Sequence, residues 1–154
     1  MTLALGLTTP AFAQKAIIVV RHAEKVDEST DPLLSAAGTA RAEALARALR
    51  SLDVRGIYVT QYQRTALTAA PLAALMNLTP VVIEARAGAL LIERMRTEHP
   101  KDVVLTVGHS NTVPAIIKLL GATEPVELGD NEYDALFVVA PQAAGPPTVL
   151  RLRY

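Results

Sequence analysis

Ala16-Ile17-Ile18-Val19-Val20-Arg21-His22-Ala23-Glu24-Lys25 is the stretch on which the reading of this chain turns. Five β-prone apolar residues in a row, too few for a helix and with no polar alternation, predict a strand buried on both faces of a parallel sheet. Such strands present ligand-binding groups at their carboxyl ends. Here that end carries an arginine, a permanent planar cation, beside a histidine, which titrates near neutral pH. A second apolar run, Val103-Val104-Leu105-Thr106-Val107, ends the same way in Gly108-His109-Ser110-Asn111. A third, Ile57-Tyr58-Val59-Thr60, is followed after three residues by Arg64. Three strand ends thus supply two arginines and two histidines.

Working outward, Asp31-Pro32 marks a loop and Ser35 an N-cap for a helix reaching about Leu52, with Ala44, Leu45, Ala48, Leu49 and Leu52 on its apolar face. Arg64 to Met76 predicts a second helix, with a kink at Pro71. Val81 to Ile83 predicts a third strand ending at Glu84. Ala87 to His99 is a helix stopped by Pro100, and Asn111 to Leu120 one closed by Gly121. Asp134 to Ala140 and Val149 to Arg153 are the last strands. The expected fold is α/β: a three-layer, doubly wound, mostly parallel sheet with helices on both faces and an antiparallel edge strand at the C-terminus.

The 154 residues fit one domain, expected over 14–154. Fifteen basic residues balance fifteen acidic ones, so no global field recruits nucleic acid or an anionic membrane. The chain has no cysteine, which excludes thiol catalysis and cysteine-based metal sites. Apart from the N-terminus, no segment is long and apolar enough to span a membrane. Residues 1–13 end in Ala11-Phe12-Ala13, a pattern that matches a signal-peptidase site after a short apolar segment without a basic start. They are expected to be a truncated signal peptide, placing the protein in a periplasm or outside the cell and otherwise in the cytoplasm.

The strand-end cluster suits phosphate. Two arginine forks offer bidentate donors to its oxygens. Flanking cations disfavour protonation of His22, keeping it nucleophilic, while His109 facing a bound dianion is favoured as a proton donor. The helix after His109 points its N-terminus at the same spot. Arg64, unfavourable at a helix N-terminus, is better placed as an anion ligand. A zinc site on His22 and His109 would need Glu84 or Glu24 as third ligand beside two repelling arginines, so no metal or cofactor is expected.

These residues resemble the histidine phosphatase superfamily, the phosphoglycerate mutase-like proteins. Its Arg-His-Gly is seen as Arg21-His22-Ala23, its helix-opening arginine as Arg64-Thr65-Ala66-Leu67-Thr68-Ala69, and its late Gly-His as Gly108-His109. The resemblance implies that His22 is transiently phosphorylated, that Arg21, Arg64 and His109 hold the phosphoryl oxygens, and that water then hydrolyses the phosphohistidine without a metal. The sequence departs from the family at Ala23, at Gln61 in place of a serine, and at Ser110-Asn111 in place of an aspartate acid. Glu84, near the mutase branch's glutamate, is the expected general acid, and Glu24 is second; if neither serves, a phosphoramidate needs little protonation. Ser110 and Asn111 read better as helix caps. Glu132 and Tyr133 suit either the pocket or a loop, Lys25 a positive rim or plain solvation, and His99 a helix C-terminal cation. The short strand–helix loops leave no lid, which disfavours a mutase. The expected partner is a phosphorylated small molecule or macromolecule, neither nucleic acid nor a membrane; the alternatives are a non-catalytic phosphate-binding module and a phosphohistidine-protein phosphatase.

Overall fold

Every strand predicted from the apolar runs pairs into one six-stranded sheet. A computed structural model describes residues 14–154, so the expected signal peptide lies outside the described residues. In chain order the elements are β1 (Ala16–Arg21), α1 (Ala36–Leu49), β2 (Val54–Val59), α2 (Gln63–Met76), β3 (Val81–Val82), α3 (Gly88–Glu98), β4 (Val103–Gly108), α4 (Thr112–Leu119), β5 (Ala135–Ala140) and β6 (Thr148–Arg153). The strand order is β3-β2-β4-β1-β5-β6. β1 through β4 pair in parallel, and β4 sits between β1 and β2.

The uninterrupted apolar run of β1 is explained by its position in the middle of the sheet. Ile17 and Val19 pack with Val104, Phe137 and the buried residues of α3 and α4 on one face. Ile18 and Val20 pack with Leu105, Val107 and the buried residues of α1 and α2 on the other. Successive side chains of a strand point to opposite faces, so a strand covered on both sides must be apolar throughout.

The antiparallel part of the sheet begins one strand earlier than the sequence reading placed it. β5 already runs against β1, with Leu136 opposite Val20 and Val139 opposite Ile17, and β6 then runs against β5. A parallel β5 would need another crossover helix. Residues 121–134, which include Pro125 and Gly129, form none; they return irregularly to the carboxyl edge of the sheet. Gly121 lets the chain leave α4, because its φ of 104° is open to glycine at little cost.

One helix reading is corrected in detail. The buried face of α1 is Gly38, Ala42, Leu45, Ala46 and Leu49, while Ala48 and Leu52 are exposed. α2 runs as one helix through Pro71 and ends at Asn77, whose left-handed backbone (φ 52°) is one that asparagine tolerates. The Ser35 cap holds: its Oγ accepts the Gly38 N–H at 3.1 Å. Among the described residues no helix is long and apolar enough to cross a membrane.

Candidate active site

The register of the parallel strands brings the chemistry to one edge. Arg21 at the end of β1 lies opposite Gly108 at the end of β4, and the His22 N–H continues the ladder by donating to Gly108 O at 2.9 Å. His22 and His109 therefore leave the sheet side by side, their ring centroids 5.3 Å apart. Both are buried, as is Arg21. Arg64, in the first turn of α2, reaches them, its Nη2 donating to His109 Nδ1 at 3.4 Å. The four residues singled out in the sequence are brought together.

The hydrogen bonds fix how each histidine carries its proton. His22 Nδ1 lies 2.8 Å from Ala23 O, and a carbonyl can only accept, so Nδ1 is the protonated nitrogen and Nε2 carries the free lone pair. His109 is the reverse. An arginine can only donate, so Nδ1 accepts from Arg64 and the proton resides on Nε2, which donates to Thr60 Oγ1 at 3.0 Å. The chain continues from Thr60 to Thr65 Oγ1 at 3.1 Å, and from Thr65 to Tyr62 O at 2.8 Å.

Burial is the first cause of the low basicity of both rings. It brings His22 down to about 3, aided by His109, Arg64 and Arg21 and opposed by the bond to Ala23 O. His109 is brought down to about 4 by burial, then by Arg64 and Arg21. Both imidazoles are neutral at pH 7.

The two arginines are held without being neutralised. Arg21 Nη1 donates to the carbonyls of Gly129 and Asp130 at 3.2 and 2.7 Å, and its guanidinium lies 4.0 Å from the centre of the Tyr133 ring. Arg64 sits 4.4 Å above the Tyr62 ring and donates to Thr30 O at 3.4 Å, with the Asp31 carboxylate only at 3.9 Å. The Nε atoms of Arg21 and Arg64 are buried with no hydrogen-bond partner among the described residues. A buried donor left unpaired costs about 1–3 kcal/mol, so both atoms favour an incoming acceptor.

The remaining predicted residues fall elsewhere. β3 ends at Val82, two residues short of Glu84, which is exposed, and the burial that would fit it to act as an acid is not there. Glu24 is turned away into an ion pair with Arg41, whose Nε meets its two oxygens at 2.7 and 2.8 Å, and that bond holds its carboxyl below the usual range against the opposing effect of burial. Lys25 pairs with Glu28. Asn111 takes the N-cap position of α4 without a side-chain bond; Thr112 Oγ1 instead accepts the His109 N–H at 2.8 Å. His99 is at the other edge of the sheet, paired with Asp102 at 3.0 Å and filling the space over Gly56. Ala23 is fully buried, and among the described residues Asn77 alone combines a side chain with positive φ, so alanine suits this turn.

Sequence reasoning missed the supports. Thr68 accepts the Ala23 N–H at 2.9 Å and donates to Arg64 O at 2.7 Å, tying the turn after His22 to the base of Arg64. Asp31 accepts the Gln63 N–H at 2.9 Å, so the long loop after β1 caps α2. Tyr62 packs edge-on against His109 at 5.3 Å. Tyr133, which the sequence left between a pocket and a loop role, lies at the pocket over Arg21; Tyr62, the partner of Arg64, had no local signal.

Residues 17–88, just under half of the chain, match the family model described as histidine phosphatase superfamily (branch 1). The fold is that of the histidine phosphatase superfamily. No curated protein matches the chain in sequence. The protein histidine phosphatase SixA in complex with tungstate superposes with a TM-score of 0.72 at 18% identity, covering 90% of this chain and 96% of that one. A mycobacterial glucosyl-3-phosphoglycerate phosphatase gives 0.67 at 14% identity, covering 91% and 98%. The phosphoserine phosphatase of Entamoeba histolytica in complex with 3-phosphoglyceric acid gives 0.63 at 16%, covering 90% and 96%. At such identities the histidine phosphatase likeness concerns the fold alone. The matched family model and the fold agree with what the sequence resemblance implied.

Proposed function

We propose that this protein is a phosphatase that hydrolyses phosphate esters without a metal, through a phosphohistidine on His22. The observation that carries the proposal is the tautomer of His22: Nδ1–H is tied to Ala23 O, leaving Nε2 unprotonated beside two arginines that no close carboxylate neutralises. In the first step Nε2 attacks phosphorus and the bond to the ester oxygen breaks, with Arg21, Arg64 and His109 on the non-bridging oxygens. The leaving oxygen takes up a proton. Water then attacks phosphorus, the bond to Nε2 breaks, and the water gives up a proton in place of the one taken by the leaving oxygen, so that phosphate departs and Nε2 is restored. Charge stabilisation and positioning supply most of the acceleration in phosphoryl transfer.

The test is His22→Ala assayed on an aryl phosphate. Activity falls by at least about three orders of magnitude, and chelator leaves the wild type unchanged. Activity retained in the variant, or lost on chelation, rejects the proposal. Tight phosphate binding without any phosphorylated His22 selects the non-catalytic binding module instead.

A second reading, a phosphohistidine-protein phosphatase, is favoured by the fate of the carboxylates. Glu24 is occupied by Arg41, Asp31 caps α2 and Glu84 is exposed. A phosphoramidate leaves as a nitrogen that is readily protonated, so it has less need of a carboxylic acid in the site. A phosphorylated imidazole turned over much faster than an alkyl phosphate, with Glu84→Gln without effect, selects this reading; a large loss in Glu84→Gln selects the ester reading and Glu84 as acid. Export of a chain beginning near Gln14 belongs to the ester reading, since phosphohistidine relays operate in the cytoplasm. The N-terminal mass of the protein recovered from a periplasmic fraction checks it.

A further inference from the structure

The turn that holds Arg21 is itself held from outside the site. Gly129 and Asp130 supply the two carbonyls that receive Arg21 Nη1, yet they belong to the irregular return segment, where no helix or strand fixes backbone direction. Glu132 closes that turn on itself. Its N–H donates to Gly129 O at 3.1 Å, and its Oε2 accepts the Gly129 N–H at 2.7 Å. The other carboxylate oxygen, Oε1, is gripped from the edge strand β6 by Arg151 Nη2 at 2.6 Å and Arg153 Nη2 at 3.4 Å. Arg151 also donates to Glu127 O at 3.1 Å and lies 5.3 Å from the Phe137 ring centre, so the anchor is joined to the sheet.

The arrangement solves an electrostatic problem. A carboxylate bonded directly to Arg21 would fix its orientation but would compete with phosphate for its charge. Carbonyl dipoles fix the guanidinium and leave its charge in place. The carboxylate that organises those carbonyls spends its own charge on Arg151 and Arg153, away from the site.

We infer that Glu132, backed by Arg151, is a positioning residue for Arg21: it sets the carbonyl pair that aims the guanidinium's remaining donors at a phosphoryl group. The inference rests on the phosphatase reading, and a double-mutant cycle separates the two. Assayed on an aryl phosphate, Glu132→Ala lowers kcat/KM roughly tenfold in the wild type, the scale of one charge-assisted hydrogen bond, and weakens inorganic phosphate binding in parallel. In an Arg21→Ala background the same change has no further effect. Arg151→Met, which keeps the Gly129 clasp and removes its outer anchor, gives a smaller loss that also vanishes without Arg21. Asp134→Asn, which takes the charge from the neighbouring pair with Arg153, 2.8 Å apart, leaves kcat/KM unchanged. Losses that add to that of Arg21→Ala, no loss in Glu132→Ala, or an equal loss in Asp134→Asn overturn the inference while leaving the phosphatase reading in place. An Arg21→Ala protein as active as wild type overturns both.

Discussion

His22 and His109 sit in contact and are neutral for the same reason, yet they are prepared for opposite tasks. His22 has its Nδ1 proton fixed on a carbonyl and offers a lone pair. His109 has its Nε2 proton fixed on Thr60 and keeps an acceptor nitrogen beside Arg64, where a bound phosphate oxygen requires a donor. A dianion placed there favours the imidazolium, so His109, at about 4 in the free protein, rises when phosphate binds. Binding of inorganic phosphate near pH 6 is therefore accompanied by proton uptake, seen as a dependence of the calorimetric heat on buffer ionisation enthalpy. In His109→Gln the part contributed by the protein is lost. Uptake identical in wild type and variant contradicts this role. Because burial brings His22 down to about 3, the proposed mechanism predicts no acid-side loss of rate between pH 7 and 5 that belongs to the nucleophile.

At the scale of elements, the site depends on close approaches between a strand end and the helices around it. Gly38 in α1 lies so near the backbone of Glu24 that an added Cβ would clash with its carbonyl oxygen. Alanine is worth about 1 kcal/mol more than glycine inside a helix. The clash is with backbone that cannot swing aside, and overpacking costs about 1–3 kcal/mol. Gly38→Ala is thus expected to lower the melting temperature despite the better propensity. It also reduces turnover, because Glu24 is two residues from His22. An unchanged melting temperature and turnover in this variant would show that α1 yields freely. The strands and helices were legible because their apolar runs and caps are local: Ser35 caps α1 as read, and Val103 to Val107 becomes β4. The apolar face of α1 was misjudged because Ala48 and Ala46 are equally small, and only tertiary contact decides which is covered. The reversal at β5 was not legible, since Ala135–Ala140 would be equally apolar in either direction.

Across the whole molecule, the buried neutral histidines couple the site to acid stability. Each has an ordinary value near 6.5 when unfolded and about 3 or about 4 when folded. Between those limits the unfolded chain binds protons that the folded chain does not, so stability falls as pH falls below about 6.5 and is flat above neutrality. The slope is at most roughly 1.4 kcal/mol per pH unit for each histidine. Glu24 acts in the same direction only below the ordinary carboxylate range, as its folded value is lowered. Melting temperatures measured from pH 7 to pH 5 are expected to drop more steeply in the wild type than in a His22→Asn, His109→Asn double variant; parallel curves contradict this. The four-residue cluster itself was readable because three strand ends in a parallel sheet must meet at one edge. Its supports were legible only in part: Glu132 and Tyr133 stood between a pocket and a loop role, while Tyr62 and the carbonyls of Gly129 and Asp130 reach the arginines only through the fold. The central claim is that His22 Nε2 becomes covalently phosphorylated. Rapid alkaline quench of the protein during turnover of an aryl phosphate, followed by peptide mapping, is predicted to find an acid-labile phosphoryl group on His22; hydrolysis proceeding with His22 unmodified, or with the label on another residue, would contradict it.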